Sequence, residues 1–189
     1  MAVDLDTLNH LIDTVRRFVE NRLIPLEAQV AEDDCIPDHI INEMRELGLF
    51  GLTIPEAYGG LGSNTEEECR VILELGHTSP AFRSVIGTNN GIGSQGLVMD
   101  GTEQQKRHYL PLLATGEIIG SFALTESEAG SDSAAVQTKA IKDGADYVLT
   151  GTKRYITNSN CAQLFTVFAR TDQLEAGSRG VTAFLVDAN

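Results

Sequence analysis

The sequence predicts an α+β fold in which a helical domain at residues 1–117 precedes a β domain at residues 118–189. The first observation is a change of hydrophobic period near residue 117, from helical spacing to the alternation that is typical of strands. The second is charge. Residues 1–117 hold 8 basic and 19 acidic residues, whereas residues 118–189 hold 6 and 8. Because both changes occur at the same place, we expect two domains.

The helical domain carries start signals for four helices. In the first helix, Leu8, Ile12 and Val15 recur on one face. The start signals are, in chain order, Asp4 or Asp6, Pro37, Asn64 followed by three glutamates, and the capping box of Thr102 and Gln105. We expect the second helix to end at Gly48 and the third near Gly76. Helices this short cannot bury their apolar faces alone, so they should pack as a bundle.

The β domain contains five β-rich runs separated by turn residues. They are Ile119–Leu124, Val136–Ile141, Tyr147–Ile156, Leu164–Ala169 and Val181–Val186. No helical segment lies between them, so we expect an antiparallel sheet rather than repeated βαβ units.

Composition excludes several function classes. The net charge of −13 disfavours binding to nucleic acid or to an anionic membrane surface. No apolar run approaches the ~20 residues that span a bilayer, and the acidic N-terminus does not resemble a secretion signal. The three cysteines, Cys35, Cys69 and Cys161, form no CxxC pair and indicate buried or idle thiols in a reducing, cytoplasmic compartment. We expect no metal site.

One motif match is expected to be misleading. Residues 91–96 read GIGSQG and satisfy the dinucleotide fingerprint GxGxxG, which requires a preceding strand and a following long helix. The residues before it are too polar for a buried strand, and Asp100-Gly101 leaves no room for a long helix after it. Close helix packing through small residues is the favoured interpretation. The four histidines are likewise interpreted as residues on helix faces or at helix ends.

Two polar loops remain as candidate binding segments. The run SFALTESEAGSDS at 121–133 passes from a strand into a loop of hydroxyl and small residues. Small residues let backbone N–H groups approach a ligand, and hydroxyls can donate to it. A second cluster, TNSN at 157–160, follows another strand. The residues themselves support the hypothesis of a cofactor-binding β domain, in which both loops face one flat polar heterocycle.

At these segments the sequence resembles the acyl-CoA dehydrogenase family. The runs FALTESEAGSD at 122–132 and LTGTKRYITN at 149–158 are similar to its two flavin-binding segments. The runs PEAYGGLG at 55–62 and GTEQQKRHYLPLLATGE at 101–117 are similar to landmarks of its helical domain. The resemblance implies a helical domain, a barrel-like middle β domain and, beyond this sequence, a C-terminal helical bundle.

The resemblance assigns roles in the first segment. Phe122 and Leu124 match positions that line the isoalloxazine of FAD, and backbone groups of Leu124 and Thr125 would bond its polar edge. The Thr125 hydroxyl would lie near the reactive edge of the ring. Gly130 and Ser131 match positions near the pyrophosphate and the CoA arm, and Ser131 is also a substrate contact in the family.

The second segment supplies three further positions. Tyr155 takes the place of an aromatic residue that packs on the flavin, while Ile156 and Thr157 would bring a second hydroxyl to the ring.

Several positions depart from the family pattern. Ser127 stands where proline is common, Ser159 and Asn160 replace small residues, and Gln163 stands where an acid is common.

The implied function is that of an FAD-dependent acyl-CoA dehydrogenase in fatty acid metabolism. Such an enzyme desaturates an acyl-CoA thioester at the α,β bond by hydride transfer to flavin, and passes electrons to an electron-transferring flavoprotein. The family's catalytic glutamate belongs to the C-terminal domain, so we expect no catalytic base in this sequence and an inactive chain on its own.

Three alternatives stay open. The chain could be a non-catalytic flavin- or CoA-binding fragment, or one that pairs with a chain supplying the missing domain. A related enzyme of the same fold, an acyl-CoA oxidase or a flavin monooxygenase, is the third. Exposed apolar area predicts a homo-oligomer.

Overall fold

The structure is a computed structural model that describes residues 3–175 and 177–188. The chain divides into two compact units, Met1–Ile119 and Gly120–Asn189. The first unit is helical and the second contains a β-sheet, so the expected order of a helical domain and a β domain is confirmed. The boundary expected at residue 117 lies two residues before the division between the units.

The first unit contains seven α-helices within the described residues. They are α1 (Leu5–Phe18), α2 (Glu27–Asp33), α3 (Asp38–Glu46), α4 (Thr65–Leu75), α5 (Pro80–Asn90), α6 (Gln95–Asp100) and α7 (Glu103–Thr115). A π-helical turn at Val19–Leu23 continues α1. Their apolar faces bury a common core that includes Val15, Leu23, Ile40, Phe50 and Phe82.

The predicted helix starts are confirmed. Asp4 caps α1, with its carboxylate accepting from the N–H of Thr7 at 3.0 Å. Complete capping boxes open α4 and α7, built by Asn64 with Glu67 and by Thr102 with Gln105. Such caps satisfy N–H groups that have no partner inside the helix.

The sequence interpretation did not place α2, α5 or α6. Helix α5 was obscured because polar residues occupy its buried face. The side-chain amide of Asn89 donates to the carbonyls of Leu113 and Ile118, each at 2.9 Å, and that of Asn90 donates to the carbonyl of Leu49 at 2.6 Å. Buried amides that bridge elements in this way break the apolar period.

The GxGxxG match is confirmed as misleading. It is preceded by helix α5, where the dinucleotide fold requires a strand, and is followed by α6, which has only six residues. The four histidines are exposed on helices or at a helix end, as expected.

The second unit is built on strands β1 (Gly120–Ala123), β2 (Lys139–Asp143), β3 (Asp146–Thr150), β4 (Leu164–Arg170) and β5 (Val181–Asp187). The order along the sheet is β1-β4-β2-β3, and β5 pairs with β4. The pairs β2–β3 and β4–β5 are antiparallel, as expected. The pairs β1–β4 and β2–β4 are parallel, so the expectation of a wholly antiparallel sheet is wrong.

The parallel pairing has a physical cause. Parallel strands need a long connection. Between β1 and β4 that connection is a loop with a short 3-10 turn at Ser133–Ala135, the β2–β3 hairpin and a second loop, with no α-helix. Among the described strands, β1, β3 and β5 are each paired to one neighbour, so the sheet is open there rather than closed as a barrel.

Two surface properties complete the description. All three cysteines are free and exposed, so of the expected buried or idle thiols the buried alternative is wrong, while idle thiols stay a prediction. Within the part of the chain that the structure describes, no helix is both long and apolar enough to cross a bilayer.

Candidate functional site

Direct hydrogen bonds join the candidate segments. The N–H of Arg154 donates to the carbonyl of Thr125 at 2.9 Å. The hydroxyl of Ser121, on β1, donates to the carbonyl of Thr157 at 2.6 Å. The loop after β3 is therefore attached to the end of β1, as the hypothesis of one shared site requires.

The place where the loop after β3 is hydrogen-bonded to Ser121 and Thr125 is called the junction. A cavity of about 350 Å³ lies beside it. It is lined by Ala123, Lys153, Tyr155, Ile156, Ser159, Phe165 and Val167. Most of these side chains are apolar, and the ammonium of Lys153 is the charged group among them. A small pocket of apolar and aromatic side chains with a few polar groups is typical of a cofactor or substrate site.

Tyr155 is unusual in both exposure and backbone. Its side chain is 84% exposed, and its φ of +56° lies in the left-handed region, which costs free energy for a bulky residue. The Arg154 guanidinium lies 4.9 Å from the ring centroid and donates to the Tyr155 hydroxyl at 3.2 Å. An exposed aromatic ring held in a strained turn indicates a surface prepared for a ligand.

A buried ionic network lies below the junction. The Glu126 carboxylate accepts from Lys153 Nζ at 2.8 Å, from the N–H of Gln137 at 2.7 Å and from the N–H of Thr138 at 3.0 Å. The Thr138 hydroxyl donates to the same carboxylate, and Lys153 Nζ also donates to the carbonyl of Leu124 at 3.0 Å. Both charged side chains are nearly buried, with 12% exposure for Lys153 and 7% for Glu126.

This network fixes the charge of Glu126. Burial alone would raise the pKa of Glu126. Hydrogen bonds from Lys153, Thr138 and the N–H of Gln137 outweigh burial and lower the pKa from its ordinary 4.5 to about 2. A carboxylate with so low a pKa is a poor proton acceptor near neutral pH. Glu126 is therefore a structural anion rather than a base.

Glycine is required where strand β3 leads into the second segment. A Cβ on Gly151 would lie 2.3 Å from the Thr138 hydroxyl oxygen and 2.8 Å from Thr138 Cα. No side chain fits at that distance. The close approach leaves Thr138 in place against Glu126.

Among residues 3–175 and 177–188, the hydroxyls of three predicted site residues, Thr125, Ser131 and Thr157, make no hydrogen bond. Thr125 is half-buried and the other two are exposed. These donors are available to solvent or to a ligand.

The structure brings together some of the predicted site residues and not others. Tyr155 and Ile156 line the cavity, whereas Gly130 and Ser131 lie in an exposed loop outside its lining. The Phe122 ring packs on Phe168 with centroids 4.9 Å apart. The backbone carbonyls of Leu124 and Thr125 already accept from Lys153 and Arg154, respectively.

Sequence reasoning assigned no role to four residues that hold the candidate segments together. They are Ser121, Glu126, Thr138 and Lys153. Lys153 and Glu126 are 27 residues apart, so neither the pairing nor the burial could be inferred from spacing. The available signal was Lys153 itself, a charged residue inside a run expected to be a strand.

Comparison with known proteins matches each of the two units to a domain of acyl-CoA dehydrogenase. The N-terminal domain of acyl-CoA dehydrogenase matches residues 6–117, and the middle domain of acyl-CoA dehydrogenase matches residues 121–189. An acyl-CoA dehydrogenase of Bacillus subtilis is 35% identical over 175 residues, which cover 93% of this chain and 46% of that protein.

Solved structures agree. An acyl-CoA dehydrogenase complexed with FAD from Bacillus anthracis is 33% identical, with a TM-score of 0.86 over 97% of this chain and 31% of its own. Butyryl-CoA dehydrogenase from Megasphaera elsdenii is 30% identical, with a TM-score of 0.89 over 99% of this chain and 50% of its own. The chain spans about half the length of the curated relatives it matches. With family models matched over both units, the chain belongs to the acyl-CoA dehydrogenase family.

Proposed function

We propose that this chain supplies the FAD-binding part of an acyl-CoA dehydrogenase. The observation that carries the proposal is the attachment of the second segment to the first, through Arg154 to Thr125 and Ser121 to Thr157, beside an apolar cavity. Two loops far apart in the sequence are thereby hydrogen-bonded to each other, and between them they carry one exposed aromatic ring and several hydroxyls.

The residues fit a flavin ring. The cavity of about 350 Å³ lies at the lower end of the ~300–1,000 Å³ range of small-molecule sites, and it is open to solvent at the exposed Tyr155. Tyr155 would pack against an aromatic heterocycle, and the hydroxyls of Thr125 and Thr157 would donate to its polar atoms. Ser131 and Gly130 would meet the phosphate-bearing arm from the exposed loop.

The proposed reaction is desaturation of an acyl-CoA thioester at the α,β bond. FAD would supply the hydride acceptor for this reaction. The chain's own residues bind and orient: Tyr155 covers an apolar face and excludes water, and the Thr125 hydroxyl provides a fixed donor where negative charge develops. Electron-transferring flavoprotein is the proposed acceptor on the ground of family membership.

The base is not proposed from this chain. Glu126 is committed to Lys153 and Thr138, and Glu128 is an exposed loop residue. We therefore expect the 189-residue chain to bind FAD without oxidising acyl-CoA. A homo-oligomer and a cytoplasmic location are also proposed, on the exposed apolar side chains Ile141 and Val148 of the sheet and on the three thiols.

The reaction can be tested with a fusion. Residues 1–189 are joined to the remaining C-terminal half of the Bacillus subtilis relative, loaded with FAD, and mixed anaerobically with saturated acyl-CoA thioesters of several chain lengths. We expect acyl-CoA to bleach the flavin absorbance in the fusion and to leave that of the FAD-loaded 189-residue chain unchanged. Oxygen consumption by the reduced fusion would identify an oxidase instead.

The matched control is the intact Bacillus subtilis protein under the same conditions. A fusion that holds FAD but is not reduced by any thioester that reduces the control would contradict the proposed reaction. A fusion that holds no FAD would contradict the proposed cofactor.

A further inference from the structure

We propose that Lys153 and Glu126 form a positioning pair that holds the Leu124 carbonyl, and with it the Thr125 hydroxyl, at the cavity. The proposal rests on the function proposed above, because it assigns the pair a role toward the bound flavin. It concerns two residues that no resemblance singled out.

Lys153 Nζ makes two hydrogen bonds that converge from different segments. One goes to the carbonyl of Leu124 at 3.0 Å and the other to Glu126 Oε1 at 2.8 Å. Leu124 directly precedes Thr125, and the Thr125 carbonyl accepts from the N–H of Arg154, the residue after Lys153. The two segments are therefore linked at two successive residues on each side, and Lys153 supplies one of the links.

Glu126 holds the ammonium in place from below. Its carboxylate is fixed by the N–H groups of Gln137 and Thr138 and by the Thr138 hydroxyl, all just before strand β2. Strand β2 is part of the sheet, so the position of Lys153 is tied to a rigid element rather than to another loop. Groups that are held by such a second layer of hydrogen bonds keep the geometry that a ligand requires.

Lys153 is also one of the residues that line the cavity, and its charge is balanced by Glu126. If Glu126 is made neutral, the ammonium remains beside the cavity without its counter-charge. An unbalanced positive charge in a low-dielectric site favours the more negative form of a bound group. The pair therefore sets both the position and the charge balance of the cavity wall.

The test compares four single variants in the full 189-residue chain. Lys153→Met removes the donor to Leu124, and Glu126→Gln removes the counter-charge while keeping an acceptor. Lys142→Met and Glu128→Gln are the matched controls, since both residues are exposed and the described residues provide them with no hydrogen bond. The measurements are amide hydrogen exchange without flavin, the Kd for FAD, and the midpoint potential of bound FAD.

For Lys153→Met we expect faster exchange of the amides of Arg154 and Glu126, and an FAD Kd raised at least tenfold, by analogy with the loss of supporting residues at other sites. For Glu126→Gln we expect the preference of the site for reduced over oxidised flavin to rise about tenfold. This change raises the midpoint potential of bound FAD by about 30 mV for a two-electron couple. A variant that carries both Lys153→Met and Glu126→Gln should return the midpoint potential toward that of the wild type. The two controls should match the wild type throughout.

The outcomes separate this proposal from the proposed function. If Lys153→Met speeds exchange but leaves the FAD Kd unchanged, the pair is structural and the positioning role is wrong. If Glu126→Gln leaves the potential unchanged, the assigned charge balance is wrong. If the wild-type chain binds no FAD, the proposed function fails. Unchanged exchange in Lys153→Met would independently show that the pair does not hold the Leu124 segment.

Discussion

The two units of this chain are stabilised by different interactions. In the helical unit the buried apolar residues are mostly large, and Phe50, Phe82, Leu23, Ile40 and Met44 are fully buried. In the β unit five of the seven described buried apolar residues are alanine. They are Ala123, Ala129, Ala140, Ala162 and Ala169, with Val136 and Leu164 as the other two. Alanine buries little area, so apolar burial contributes less to the β unit.

In the β unit, hydrogen-bond networks around the charged side chains of Glu126 and Arg170 contribute in place of that burial. These two networks are called polar anchors here. Besides the Glu126 network, the Arg170 guanidinium donates to four backbone carbonyls. They belong to Ala134, Val136, Glu175 and Gly177, at 2.7, 3.1, 2.9 and 3.2 Å. Both anchors hold loops rather than strands. The comparison indicates that the loops of the β unit are held by directional hydrogen bonds, while the helical unit is held by packing.

The largest expected effect tests the helical side of this comparison. Phe50→Ala removes a fully buried ring and should lower the free energy of unfolding by about 3–5 kcal/mol. Urea unfolding followed by far-UV circular dichroism measures it. Leu73→Ala, at a position that is 68% exposed, is the control and should change the free energy by less than about 0.5 kcal/mol. Similar costs for the two variants would contradict a packed helical core.

The second prediction concerns acid unfolding of the β unit. The pKa of Glu126 is about 2 in the folded chain, below its ordinary 4.5. A lowered pKa contributes stability above the unfolded value, and this stability is lost as the pH falls from 4.5 through 2. The contribution at neutral pH is roughly 3 kcal/mol. Hydrogen exchange of β2 amides between pH 5 and pH 3 measures the loss, with intrinsic exchange rates corrected for pH.

Glu126→Gln is the comparison variant for that titration. It carries no titrating group at this position, so its stability should depend less on pH over the same interval. Equal pH dependence in the two proteins would show that Glu126 is not held as a buried anion.

The third prediction tests the second anchor. Arg170→Met leaves four carbonyls without their donor, one of them on the buried residue Val136. We expect a loss of about 2 kcal/mol, since hydrogen bonds to a charged group contribute about 1.5–3 kcal/mol each and solvent replaces some of them. Exchange of β4 and β5 amides measures it. Arg179→Met is the control, because its ion pair with Glu175 is exposed and should contribute under about 1 kcal/mol.

The smallest prediction returns to the helical unit. Thr102 caps α7, and its hydroxyl accepts from the N–H of Gln105 at 3.2 Å. Thr102→Ala should lower the free energy of unfolding by about 1 kcal/mol. Thr102→Ser keeps the cap and serves as the control. A loss from Thr102→Ala as large as that from Phe50→Ala would mean that local caps, not packing, dominate this unit.

Local signals explain what could be predicted from the sequence. The caps at Asp4, Asn64 and Thr102 bond within three residues, so the start of each helix is encoded beside it. The two site loops were also recognisable from their hydroxyl and small residues. The left-handed backbone at Tyr155 was not, because a bulky residue rarely adopts it without support from its surroundings.

Long-range contacts explain what could not be predicted. The parallel pairing of β1 with β4 depends on how more than thirty intervening residues return to the sheet. The pairing of Lys153 with Glu126 depends on the same return. Both features depend on where the β2–β3 hairpin lies in the fold, because the hairpin separates the paired residues along the chain. Patterning therefore selected the candidate segments, and the three-dimensional fold showed which residues hold them together.

The central claim is that the segments containing Thr125 and Thr157 together form a flavin site. The direct measurement is a calorimetric titration of the 189-residue chain with FAD, with the absorbance spectrum of the bound flavin recorded, repeated with Thr125→Val, Thr157→Val and the variant that carries both substitutions. We predict one saturable site in the wild type, an altered flavin spectrum in each single variant, and the weakest binding in the double variant. An absence of binding, or equal affinity and identical spectra in all four proteins, would contradict the claim.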